Sequence, residues 1–138
     1  MQLVSGSNTV TVTVSEQTTI ANAEYLFVLI NDHSYKKVAF TSTETQLDHG
    51  RSSFPVTVQA SPDPLAGEVE LELLGFYHYY IFEKTSAEIA AFDYSGVDDM
   101  DIRDIDGLVE VGKAQYTETA TTPDYYKDVR TSTEVYGS

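Results

Sequence analysis

At 138 residues, 41% hydrophobic and 22% charged, the chain has the length and composition of one folded domain with a single core. Its formal net charge of −14, with 8 basic residues scattered among 22 acidic ones, leaves no basic face and disfavours nucleic-acid or anionic-membrane binding, which begins with Lys and Arg neutralising phosphate. Having no cysteine excludes disulfides, zinc–thiolate centres and thiol nucleophiles together, so packing and hydrogen bonds must hold the fold.

The opening MQLVSGSNTV has neither a basic start nor an apolar middle, so no signal peptide is expected. No apolar run approaches the roughly 20 residues of a membrane helix. Residues 8–16 (NTVTVTVSE) alternate β-branched Thr and Val and predict a strand with Val10, Val12 and Val14 inward. Residues 23–31 (AEYLFVLIN) are continuously apolar, the pattern of a central strand. Asn31, Asp32, His33 and Ser34 supply turn chemistry, and residues 35–42 return as the second arm of a hairpin. Residues 53–60 (SFPVTVQA) predict another strand, with Pro55 pointing to an edge or a bulge.

The run GEVELELLGFYHYYIFEK (residues 67–84) reads as two strands in succession. In the first, Val69, Leu71 and Leu73 face one way, and Glu68, Glu70 and Glu72 the other. In the second, Tyr77, Tyr79 and Ile81 alternate with Phe76, His78, Tyr80 and Phe82, so both faces are large and mostly aromatic. Such a strand is covered on both sides or meets another protein. Residues 85–94 (TSAEIAAFDY) predict one short helical turn capped by Thr85 or Ser86, with Ile89 and Phe92 on one face. Residues 107–118 (GLVEVGKAQYTE) give the last strand, with a bend at Gly112.

About seven strands joined by short polar turns predict an all-β, antiparallel β-sandwich over residues 1–119, with a small barrel as the runner-up. Two segments are expected to lie outside it. Residues 93–107 form an acidic insertion, part of a stretch to Glu110 that carries seven acids against one arginine. Residues 120–138 (ATTPDYYKDVRTSTEVYGS) lack an apolar period and predict an extended C-terminal arm that packs on a neighbouring protein. Tyr125, Tyr126 and Tyr136 are its anchors, since tyrosine offers large contact area at low entropic cost.

Asp99, Asp101, Asp104 and Asp106, the last followed by Gly107, place carboxylates at alternate positions ahead of a glycine, as calcium loops do. The EF-hand register fails, because it puts Ile102 at the first ligand position, and a solvated acidic loop is the favoured reading. His33, His49 and His78 are far apart and none has a second histidine at ligand spacing. No G-x-S-x-G elbow, phosphate loop or dinucleotide fingerprint occurs, so neither a catalytic constellation nor a cofactor is expected.

The order of segments resembles a family of small virion structural proteins of tailed phages that infect Bacteroidetes, the crAss-like phages and their relatives. The matching pieces are residues 19–32, the strand YHYYIFE (77–83) and GLVEVGK (107–113), within a span of about residues 8–116. The resemblance implies an immunoglobulin-like sandwich made in the host cytoplasm, located in the virion and bound to other virion proteins or to copies of itself. An auxiliary or decoration protein of the head is the first expectation, and a neck or tail component the alternative. A reading of a different class is a carbohydrate- or receptor-binding module, with Tyr77, Tyr79 and Tyr80 as a stacking platform.

Overall fold

The computed structural model describes residues 1–14 and 17–118, and the fold is mostly β, as two facing sheets. Strands β1 (Gln2–Val4), β9 (Leu108–Thr117), β8 (Gly75–Lys84), β3 (Glu24–Asn31) and β4 (Lys37–Thr41) lie side by side in that order in the larger sheet. The smaller sheet has β2 (Gly6–Val12), β6 (Ser52–Val58) and β5 (Thr45–Gln46), with β7 (Glu68–Val69) also pairing β6. The one α-helix among the described residues, α1 (Ser86–Ala91), follows β8 and is closed by a capping box between Thr85 and Glu88.

The sandwich expected from the sequence forms, but its strands are not all antiparallel. β1 pairs β9 in parallel, and β7 pairs β6 in parallel. The first of these arises because the chain changes sheets at its start. Gly6, at φ +94°, turns the chain from β1 into β2, a conformation that L side chains rarely adopt. The Asn8 side chain holds this corner by accepting from the Val4 amide at 2.9 Å and donating to the Val4 and Gly6 carbonyls.

The core between the sheets follows from the period-2 patterns. Val10, Val12, Phe54, Val56 and Val58 of the smaller sheet meet Tyr25, Phe27, Leu29, Phe40, Tyr77, Tyr79 and Ile81 of the larger. Phe27 is central: its ring stacks on Phe40 at 5.0 Å and meets the edge of Phe54 at 4.9 Å, geometries worth about 0.5–1.5 kcal/mol each beyond area burial. Leu73, expected inward with Val69 and Leu71, is 46% exposed, because β7 ends at Val69 and the chain leaves the sheet before reaching it. Pro55 is in no bulge, and although β6 is an inner strand, the side of Pro55 away from β2 has no strand partner, a local edge. It lies inside β6, in register with Thr9 of β2, on the stretch between the residues that pair β5 and those that pair β7. Its carbonyl there accepts from the Ser42 hydroxyl.

The largest departure concerns the acidic segment. Expected outside the sandwich, it covers the outer face of the larger sheet as a third layer. Leu26, Val28, Ala39 and Phe82 on that face pack with Ile89 of α1 and Val97, and Met100, Ile102 and Ile105 close over them. Two 3-10 turns, Val97–Asp99 and Ile102–Asp104, carry these apolar side chains inward while the aspartates between them face water. This layer explains why β3 and β8 are large and apolar on both faces.

Candidate functional site

The turn between β3 and β4 and the turn before β8 come together at one end of the sandwich. Asn31 builds the first by accepting from the amides of His33 and Ser34, both at 2.8 Å. The Asp32 amide then donates to the Phe76 carbonyl at 3.0 Å, and Lys36 pairs with Glu72 at 3.2 Å, which ties the two turns together. Four large side chains are left in solvent here: Tyr35 at 73% exposure, Leu74 at 56%, Phe76 at 55% and Leu73 at 46%. Tyr35 holds φ +61°, a strained conformation for a bulky residue.

A groove of about 600 Å³ opens beside this end. Val38 and Ala39 of β4 form one wall, Val69 and Leu71 the other, and the turn around Val97 closes it on the outer side. Its charged lining comprises Glu68, Glu70, Glu72 and Asp98 with Lys36 and Lys37. Asp98 accepts from the backbone amide of Lys37 at 2.9 Å, so the acidic layer is fastened to β4 at the groove. The size is that of a ligand-binding cleft, and its polarity is concentrated on one strand edge and a row of carboxylates.

The aspartates of the suggested cation loop are not brought together. Asp101 turns onto Arg103, accepting from its guanidinium at 2.7 Å and from its amide at 3.0 Å, and these bonds hold its carboxyl down to about 2. Asp99 and Asp104 are exposed on separate 3-10 turns, and Asp106 is exposed beyond the second. Among the described residues, no group of three or more His, Asp or Glu side chains has a geometry that could hold a metal ion. His78 makes a side-chain hydrogen bond through Nδ1 to Asp32.

The tyrosines divide by location. Tyr77 and Tyr79 are 4% and 9% exposed in the inter-sheet core, and Tyr80 packs against the outer layer on the opposite face. The three therefore form no exposed stacking platform, because neighbouring strand positions face opposite ways. Tyr125, Tyr126 and Tyr136 lie outside the described residues.

No family model, curated protein or solved structure matches the chain.

Two polar networks complete the picture. The Tyr79 hydroxyl donates to Glu110 at 2.7 Å, and Glu110 also accepts from the amide and hydroxyl of Thr13 at 3.0 and 2.9 Å. Burial and the Glu110 carboxylate both push the Tyr79 phenol well above its ordinary value. Glu83, 8% exposed, accepts from the amides of Thr19 and Ile20 at 2.8 and 2.9 Å and from the Thr19 hydroxyl at 3.0 Å. Burial raises the Glu83 carboxyl, but these three donors outweigh it and hold the group below its ordinary value. Each carboxylate fastens a preceding segment of the chain to the larger sheet. The candidate surface for contact is the hairpin end with its groove. Nothing in local sequence marked that surface except the surplus of apolar residues at 73–76.

Proposed function

We propose that the chain is a non-enzymatic structural component of a tailed-phage virion, an auxiliary or decoration protein of the head that binds neighbouring virion proteins. The observation that carries this reading is the hairpin end, where Tyr35, Leu73, Leu74 and Phe76 expose apolar surface together on an otherwise acid-rich molecule. Large apolar side chains exposed on two turns that are tied together suit a contact with another protein. Tyr35 strengthens the argument. Its strained backbone and its exposure both cost free energy, and strain at an exposed aromatic points to what that residue touches. The resemblance of residues 19–32, 77–83 and 107–113 to crAss-like phage virion proteins supports a place in the particle. Tyr125, Tyr126 and Tyr136 of the C-terminal arm are further contacts in this proposal.

Mass spectrometry of purified particles, with heads and tails separated, tests it. The chain should be present and should travel with heads. Recovery with tails moves it to the neck or tail, and absence from virions removes the reading.

A further inference from the structure

We infer that the groove beside β4 is a socket for one extended strand of a partner protein that carries lysine or arginine at alternate positions and adds to the open edge of β4. The ladder between β3 and β4 fixes which backbone groups face the groove. The Asn31 amide donates to the Lys36 carbonyl, so alternate residues from Lys36 (Val38 and Phe40) bond β3, and Lys37, Ala39 and Thr41 turn their amides and carbonyls away from it. Asp98 takes the Lys37 amide. Ala39 is 7% exposed, β4 has no second neighbour in its sheet, and among the described residues nothing pairs with the outward groups of Ala39. An amide and carbonyl that face the groove without a protein partner are left free to pair with an added strand.

The dimensions agree. Lys36 to Ala39 line the groove, a length of about 13 Å at strand rise, which accommodates about four residues of an added strand. The apolar floor at Val38, Val69 and Leu71 takes the side chains that point inward. The charge selects the others. Glu72 pairs with Lys36, and the Lys37 ammonium reaches the Asp98 backbone carbonyl and not its carboxylate. Among the described residues no cation pairs with Glu70 or with Glu68, whose carboxylate accepts from Gln59 and the Asp63 amide. A strand with basic residues at alternate positions meets both requirements.

This inference rests on the reading of the chain as an assembly protein, and the two fail separately. Absence from virions removes the phage assignment, whereas the socket is tested on the purified full-length chain with a random decapeptide library. Selected peptides should carry Lys or Arg at alternate positions. Ala39→Pro deletes the outward amide without touching the ladder to β3 and should weaken binding about tenfold or more. Glu70→Lys, a change at an exposed side chain, should erase the basic preference even if Ala39→Pro proves unstable. Selected peptides without that alternation, or binding indifferent to both variants, overturn the proposal. Hydrogen exchange at the Ala39 amide separates the other occupants. It should be fast in the free chain and slowed by a selected peptide. Protection at every concentration means that the chain's own residues fill the groove, and protection only at high concentration means that a second copy does. Either result overturns the proposal.

Discussion

Tyr79 lies directly across Gly112 in the β8–β9 ladder, and a Cβ on that glycine would stand 2.5 Å from the tyrosine's Cζ and hydroxyl oxygen. The glycine is therefore a slot for the ring, which lets the hydroxyl reach Glu110 two residues away. Gly112→Ala should destabilise the fold by about 1–3 kcal/mol, the cost of overpacking, as read by urea denaturation. Combined with Tyr79→Val it should cost less than the sum of the two single changes, because the clash partner is gone.

The Glu83 clamp sets an acid limit on stability. Its carboxyl is held below the ordinary value of 4.5, so the folded state favours the ionised form. The stabilisation is complete above that ordinary value and is lost as pH falls through the lower folded value. Melting temperature should drop on acidification below about pH 4.5. Glu83→Gln should start lower at pH 7 and show a shallower acid decline.

Tyr35 offers a separation of stability from function. Tyr35→Gly removes the left-handed strain and should gain up to about 1 kcal/mol in denaturant melts, after the greater freedom of glycine in the unfolded chain is subtracted. In the proposed virion role the same variant should be incorporated into particles at lower copy number than the parent, measured by quantitative mass spectrometry. Unchanged incorporation would remove Tyr35 from the contact.

Deleting residues 120–138 should leave the melting temperature within a few degrees of the parent, because their Thr-, Ser- and Asp-rich sequence has too few apolar side chains to add to a core. In the proposed arm role the truncated chain should fail to enter particles. Normal assembly of the truncated chain would end that reading of Tyr125, Tyr126 and Tyr136.

Where one face of a strand is buried and the other wet, the fold was legible. The Thr/Val alternation of β2 placed Val10, Val12 and Val14 correctly, and the two-faced aromatic pattern of β8 pointed to cover on both sides. Legibility failed where a contact depends on distant parts of the chain. The parallel pairing of β1 joins Leu3 to Tyr116, and nothing near Leu3 announces it. The acidic segment misled because Val97, Met100, Ile102 and Ile105 follow the spacing of successive 3-10 turns, which has neither helical nor strand period, and aspartates dominate its composition. Of the candidate site, Leu73, Leu74 and Phe76 were visible as residues, but their exposure was not, since it depends on β7 ending at Val69.

The third layer also gives the molecule a direction. One broad flank is plated with aspartates, so two copies approaching flank to flank repel across a screening length of about 8 Å at physiological salt. At the hairpin end Lys36 and Lys37 stand among the carboxylates, with Lys36 paired to Glu72, so like charge is less concentrated around the aromatic tip. Copies crowded together at high local concentration would thus keep apart along their sides, yet each could still be seated by its tip. On a shared surface they would space themselves like posts rather than merge into a sheet.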